Sequence, residues 1–388
     1  MANRLQKESE TLKGKIMEMV KRRQKTLKAA SLELGISYRQ AKRVYHRYLG
    51  GGDQALIHGN KGKPSNRRID HALIQHTLSL YAEKYNDFGP TLAQEKLLER
   101  DGLGISLSTL RRELIAARLW VPERNSREYR ARRTAREHFG ELVQFDGSHH
   151  DWFEGRRGRC CLITLIDDAT KIRMSQFFEE ETIFGAMIVL KMWIETYGIP
   201  ESLYCDKKNA FVLTREPTDR ELLAGITQPK SHFGRACDKL GVQVIAANSP
   251  QAKGRVERNH GVDQDRLVKE LRLSGISTLE QANKFLLETY LPYMNNKFSR
   301  SPKNADDAHV KPGMAALNDI LCMEHDRKVG NDYIVRFECR LFQIVPEAKP
   351  KPRPGDTVLV RVRLDSSVCI LWKNKVLLVK EIKTMFDD

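Results

Sequence analysis

The spacing of apolar residues changes character near residue 140. Before it they recur every three or four positions, as on amphipathic helices; beyond it, short runs of β-branched and aromatic residues between turn residues announce strands. The run KAASLELGISYRQAKRVYHRYL from Lys28 predicts a short helix with small Ala29 and Ala30, a break at Gly35, and a second helix from about Ser37. Ser37 and Gln40 form a capping-box pair at its start. Ala41, Val44, Tyr45 and Tyr48 recur at helical spacing and face inward, which leaves Arg39, Gln40, Lys42, Arg43, His46 and Arg47 outside. A helix-turn-helix offers its recognition helix to a major groove in this way. An ordinary solvated helix pair is the plainer alternative, but the break, the small residues and the one-sided basic face coincide here.

A second copy of the pattern follows. Helical residues Leu73 to Lys84 lead to a turn at Asp101 to Gly104 and a helix from about Ser106. Leu107, Leu110, Leu114 and Ile115 make its buried stripe, with Arg111, Arg112 and Arg118 outside. A purely structural helical bundle competes evenly here, because Glu113 and the leucines dilute the basic face. Between the copies, GGGDQALIHGNKGKPSNRRID reads as a basic linker.

After the arginine-rich NSREYRARRTAR, a strand from Glu141 to Phe145 delivers Asp146, and RCCLITLIDDATK with IRMSQFFEE forms a hairpin whose turn is Asp167 to Thr170. An apolar helix from about Thr182 to Tyr197 precedes a short strand in ESLYCDKKNAF that places Asp206 at its C-terminal end. Strands, helix and strand in this order imply an α/β layer. From about Asp332 to Ile382, alternating apolar and polar residues predict a small β-barrel or sandwich. Lys351, Arg353, Arg361 and Arg363 there suit DNA contact or, equally, an assembly role.

Charge sharpens the division. The 388 residues carry a formal net charge of +16, which points to a polyanionic partner. Residues 1–140 hold 29 Lys/Arg against 15 Asp/Glu, and the remainder 37 against 35, so the excess is N-terminal. Seven cysteines without CxxC spacing suggest neither a disulfide framework nor a zinc ribbon. The polar start and the lack of any long apolar run read as a cytoplasmic protein with no membrane partner.

Three acids stand out: Asp146 on a strand, Asp206 at a strand end, and Glu257 on a helix following Ser249-Pro250. Any one alone would most often be solvated or capping. Together, oxygen ligands on separate elements suit a divalent cation such as Mg²⁺. Lys253, one helical turn before Glu257, and Arg255 and Arg258 beside it would offset the charge of DNA phosphates near such acids. Asp167 and Asp168 read as hairpin-turn residues, and adjacent His149 and His150 on a strand point to opposite faces and cannot share one site.

QFDGS around Asp146, LIDDATK, YCDKKNAF around Asp206, ANSPQAKGRVERNHG around Glu257 and the trailing YMNNKFSRSP together resemble the retroviral-integrase-like DDE transposases of bacterial insertion sequences. The resemblance covers about residues 141–302 and implies a ribonuclease H-like core in which Asp146, Asp206 and Glu257 hold two Mg²⁺ ions, or Mn²⁺. Such a chain nicks the ends of its element by hydrolysis and joins the 3′-hydroxyls to target DNA, acting on double-stranded DNA as a homo-oligomer. Two features depart from the family: the 51 positions from Asp206 to Glu257 include an apparent insertion at 211–230, and Lys207-Lys208 stands where many relatives have Asn-Gly.

The expected chain is therefore multidomain: a helix-turn-helix domain (1–52), a basic linker (53–69), a second helix-turn-helix domain (70–136), an α/β ribonuclease H-like core (137–302), a connector (303–331) and a small β-barrel (332–388). A catalytically silent DNA-binding regulator or domesticated relative is the principal alternative, against which the intact acidic triad speaks. A nuclease for RNA–DNA hybrids is disfavoured by the two N-terminal DNA-reading candidates.

Overall fold

The computed structural model describes residues 2–57, 69–122, 134–205, 216–223, 227, 229–246, 254–311, 313, 317–347, 349 and 351–382. Asp206, Lys253, most of the basic linker, most of the arginine-rich connector and part of the 211–230 insertion lie outside these residues. Two compact units divide the chain, Met1–Glu123 and Arg124–Asp388.

The first unit is helical. Helices α1 (Ala2–Lys21), α2 (Leu27–Glu33) and α3 (Tyr38–Gly51) enclose Ile16, Met17, Val20, Ala30 and Val44. The break between α2 and α3 falls at Gly35, whose φ of +62° favours a residue without Cβ. Ser37 caps α3, its Oγ accepting from Gln40 N at 3.2 Å. Helix α1 was not foreseen by the spacing argument, yet it supplies half of this small core. The second set, α4 (His71–Lys84), α5 (Pro90–Asp101) and α6 (Leu107–Ala116), buries Tyr81, Tyr85, Leu97, Leu110 and Leu114. Ile115, expected inside, is 43% exposed, because the burial stripe of α6 narrows to Leu110 and Leu114.

The second unit is built on a mixed sheet of β1 (Val143–His150), β2 (Cys160–Asp167), β3 (Arg173–Phe178), β4 (Ser202–Cys205) and β5 (Gln243–Ala246), in the order β3-β2-β1-β4-β5. The first three strands pair antiparallel, while β1 with β4 and β4 with β5 are parallel. Parallel pairing needs crossovers, which α7 (Ile183–Thr196), α8 (Asp219–Leu223) and α9 (His232–Leu240) occupy. Every residue of β2 is buried, as expected of a strand covered on both faces. Helix α7 comes so close that a Cβ on Gly185 would lie 3.0 Å from Ile163 Cδ1. Its Ala186, Leu190 and Trp193 join Phe145, Leu162 and Leu203 in the main core, each large side chain contributing ~1.5–3 kcal/mol.

Helices α10 (Gly254–Leu273), α11 (Leu279–Phe285) and α12 (Leu291–Phe298) complete the layer, the last two joined by a π-helical turn, Leu286–Tyr290. After α13 (Leu317–Ile320) come β6 (Cys322–Lys328), β7 (Ile334–Phe337), β8 (Arg340–Ile344), β9 (Thr357–Arg363), β10 (Val368–Trp372), β11 (Lys375–Val376) and β12 (Val379–Ile382). These strands form two open sheets, β11-β10-β9-β6 and β12-β8-β7, rather than one closed barrel among the described residues. Val335, Phe342, Val360 and Ile370 pack between them. Strand β6 joins this sheet although its weak alternation places it in the expected connector. Among the described residues no helix is long and apolar enough to cross a membrane.

Candidate active site

Along β1, alternation sends Val143 and Phe145 into the main core, where the Phe145 ring lies 5.7 Å from that of Phe233 on α9. Gln144, Asp146 and Ser148 face the other way and meet α10 in three rungs. Val256 N donates to Gln144 Oε1 at 3.2 Å, His260 Nε2 lies 3.7 Å from Asp146 Oδ2, and Gln264 Nε2 donates to Ser148 Oγ at 3.0 Å. Four helical residues rise ~6.0 Å and two strand residues ~6.6 Å, so helix and strand stay in step over these rungs. The same side of α10 is also tied to β3, where Arg173 Nη1 meets Asp263 Oδ1 at 2.9 Å.

This docking sets two of the three expected acids on facing elements. Asp146 has 20% of its side chain exposed at the middle rung. Glu257 is exposed on the first turn of α10, one position after Val256 and three before His260. Asp206 lies outside the described residues, directly after Cys205, the last residue of β4. Strand register pairs Gln144 with Tyr204; Asp146 and Asp206 each stand two positions further along the chain. Among the described residues no cluster of three His, Cys, Asp or Glu side chains able to hold a metal forms.

Cations surround the first turn of α10. Lys171 is held below the usual lysine range by partial burial and then by the like charges of Arg300, Arg255 and Arg258. Arg258 is exposed, with Nε donating to Gly254 O at 2.5 Å. Arg255, expected at DNA, turns inward instead: its side chain is only 17% exposed, and its Nε lies 2.6 Å from Asp168 Oδ1. Lys171 and Arg300 belong to this cationic cluster although neither is singled out by sequence, since only the fold brings them beside α10.

The two acids of LIDDATK have different tasks. Asp167 closes the turn: Oδ2 accepts from Thr170 N at 2.6 Å and Thr170 Oγ1 at 2.8 Å, and Oδ1 from Gly140 N at 3.0 Å. Burial pushes its carboxyl above the ordinary range, an effect these hydrogen bonds only partly offset. Asp168 is buried as well, but it reaches Arg255 and Gln144 rather than the turn, which the turn reading of the sequence does not capture. His149 and His150 do part company, His149 toward Glu181 at 3.9 Å and His150 against the Trp152 ring at 5.4 Å.

On α3, Arg39, Gln40, Lys42, Arg43, His46 and Arg47 are all exposed, as the helical spacing requires. Lys42 Nζ sits 5.2 Å from the Tyr38 ring centroid. On α6, Arg111 and Arg112 are exposed too, though Arg112 pairs with Glu113 at 2.8 Å and Arg111 lies over Trp120. Of the C-terminal cations, Arg361 pairs with Glu324 at 2.8 Å and Arg363 with Asp319 at 2.7 Å, so both are committed within the fold. His260 and Gln144 escape sequence reading, although their spacings do hold the signal: His260 is one turn after Glu257, and Gln144 shares a strand face with Asp146.

Residues 12–65 match the family described as a helix-turn-helix domain. A protein of Sinorhizobium fredii named "Putative transposase y4bF" is 37% identical over 351 residues, covering 90% of this chain and 75% of that one. The chain belongs to the transposases. The transposase for insertion sequence IS1202 of Streptococcus pneumoniae is 29% identical over 370 residues, covering 86% of this transposase and 78% of that protein. Among solved structures, a chain of the simian T-cell lymphotropic virus intasome in complex with PP2A regulatory subunit B56 gamma covers 80% of the transposase and 99% of its own length at 14% identity, with a TM-score of 0.34. The HTLV-2 integrase catalytic core domain in complex with magnesium gives 18% identity and a TM-score of 0.30 over 39% of the transposase and 85% of that chain.

Proposed function

We propose that this transposase binds the ends of its mobile element, nicks them, and joins the freed 3′-hydroxyls to target DNA at a site made by Asp146, Asp206 and Glu257. The observation that carries the reading is the three-rung docking of α10 on β1, which sets the turn bearing Glu257 beside Asp146. The donor set fits hard divalent cations, two Mg²⁺ or Mn²⁺ ions, because all three groups offer carboxylate oxygens, Glu257 is exposed and Asp146 is partly so. When bound, such ions polarise the phosphodiester and lower the pKa of an attacking oxygen. The residues of the chain do the rest. The carboxylates hold the cations, His260 packs against Asp146 from the helix, and Lys171, Lys253, Arg258 and Arg300 offset the charge of the incoming phosphates.

Binding is assigned elsewhere in the chain. Residues 1–136 read the element ends, through Arg39, Gln40, Lys42, Arg43, His46 and Arg47 on α3 and Arg111 and Arg112 on α6. The core, 137–302, carries the chemistry, and the two-sheet module near the C-terminus serves assembly of a homo-oligomer on paired ends, since Arg361 and Arg363 are paired internally. The setting is the bacterial cytoplasm, at the nucleoid.

The test is strand transfer with pre-nicked ends in Mg²⁺, which separates joining from nicking. Asp146→Asn, Asp206→Asn and Glu257→Gln keep size and polarity but remove charge, and each should abolish joining while end binding holds. Robust joining by the Glu257→Gln protein would make that carboxylate one more charge on a solvated helix and end the triad reading.

A further inference from the structure

Asp168 is a buried carboxylate with more partners than a turn requires. Its side chain is 0% exposed, and its Oδ1 lies 2.6 Å from Arg255 Nε. Gln144 Nε2 donates to the same oxygen at 2.9 Å, and the Arg136 amide donates to Oδ2 at 2.8 Å. The Asp168 carbonyl accepts from Arg255 Nη1 at 2.8 Å and from Arg300 Nη2 at 3.4 Å. A carboxylate is costly to bury unless charge and hydrogen bonds compensate it; here both do. Asp167 already performs the local work of the turn, through Thr170 and Gly140. The partners of the Asp168 carboxylate lie instead on α10, on β1 and at residue 136.

Where these partners sit decides what Asp168 can do. Arg255 precedes Glu257 by two positions. Gln144 precedes Asp146 by two on the same strand face, and its other end, Oε1, accepts from Val256 N at 3.2 Å. The first amides of a helix lack intrahelical acceptors. At Val256 the acceptor comes from β1 across the fold, through a glutamine that Asp168 itself holds. One carboxylate therefore fixes both the strand residue beneath Asp146 and the helical turn that carries Glu257.

We propose that Asp168, acting through Arg255 and Gln144, is a positioning residue that sets Glu257 against Asp146 and so determines how tightly the pair holds a divalent cation. The proposal rests on the triad reading above. Asp168 touches no substrate; it holds Arg255 and Gln144, each two positions from one of the two acids, and loss of partners that position metal ligands typically costs 10- to 100-fold in metal affinity or activity.

The experiment uses the full chain and Mn²⁺ alone as probe, with bound and free ion counted by electron paramagnetic resonance. Hydrogen exchange of the α10 amides and joining of pre-nicked ends are followed alongside. Arg255→Gln cuts the link from the helix side and Asp168→Asn from the turn side. Each should weaken Mn²⁺ binding and slow joining by about 10- to 100-fold. Exchange should quicken in the peptide spanning 254–260 while the β2 amides keep their protection, and Arg255→Lys, which restores the charge, should recover part of the Mn²⁺ affinity. A fold lost only on replacing Asp168 leaves the question to Arg255→Gln: wild-type Mn²⁺ binding and exchange in that variant overturn the proposal. Glu257→Gln, run beside it, separates the two ideas. If Glu257→Gln binds Mn²⁺ like wild type, the ligand role fails and this proposal falls with it. If Glu257→Gln loses the ion while Arg255→Gln keeps it, only the positioning fails.

Discussion

Replacing Asp263 with Ala should destabilise the second unit by about 3–5 kcal/mol, the cost typical of leaving one member of a buried ion pair alone. The pair is deeply placed: the Arg173 side chain is 4% exposed and that of Asp263 2%. Arg173 Nη1 reaches the two carboxylate oxygens at 2.9 and 3.1 Å, Tyr290 OH donates at 2.7 Å, and Asn259 Nδ2 donates at 2.8 Å. Burial, with the charge of Asp263, pushes the Tyr290 phenol well above its ordinary pKa, so it remains a donor. Asp263→Ala thus strands a cation and two neutral donors at once. Tyr290→Phe removes a single bond to a charged group and should cost about 1.5–3 kcal/mol. The double variant Arg173→Met/Asp263→Leu removes both charges and should fall within about 2 kcal/mol of wild type, since well-packed apolar replacements of buried pairs are often neutral. Hydrogen exchange of the β1 and β2 amides across a urea series reads the loss locally, without interference from the first unit. An Asp263→Ala cost under about 1 kcal/mol, or a double variant as unstable as the sum of the singles, would refute the reasoning.

Acid should loosen the junction between α9 and β6. His232 and His325 lie side by side there, with ring centroids 4.9 Å apart, and burial first, then Arg235 for His232 and Arg327 for His325, lowers both below the usual histidine value. Their neutral forms contribute fully above the unfolded pKa of about 6.5, and the contribution is lost as pH falls through the folded values. The melting temperature of the full chain should therefore fall from pH 7 to 5, and less so in His232→Asn/His325→Asn; equal slopes in both proteins would contradict this. In the first unit, Ala30 is 0% exposed within the core that Val44 shares, so Ala30→Leu should cost about 1–3 kcal/mol by overpacking. It should also weaken binding to element ends in a gel-shift assay, although no outward residue of α3 has changed; unchanged binding and melting would show that this core has room to spare.

Local rules carried most of the sequence reading. Ser37, Gly35 and the Ala41/Val44 spacing specify the α2–α3 corner from neighbours in the chain, so they could be read directly. The hairpin around Asp167 and the limits of α7 were legible for the same reason. Helix α1 escaped because its apolar stripe is thin and gains meaning only when Ala30 and Val44 close over it. The inward turn of Arg255 could not be seen, because its partner lies 87 positions away and an arginine amid other cations looks solvated. Closure of the C-terminal strands into two sheets depends on which edges pair, and alternation alone does not say. Asp146 and Glu257 stand out in the sequence as candidates, but the rungs that set them on facing elements do not.

Because Val256, His260 and Gln264 must each meet an alternate residue of β1, the helix tolerates no net insertion among them: one added residue would swing everything beyond it by about 100° around the axis. Between β4 and α9 the described residues make none of these rungs, and added chain length costs little there, each doubling of a loop costing only about 0.6 kcal/mol. Residues 206–231, ahead of α9 and β5, are then a place where lineages can gain or lose sequence cheaply. Aligned relatives of this transposase should vary in length between residues 206 and 231 and keep a constant length from 254 to 264.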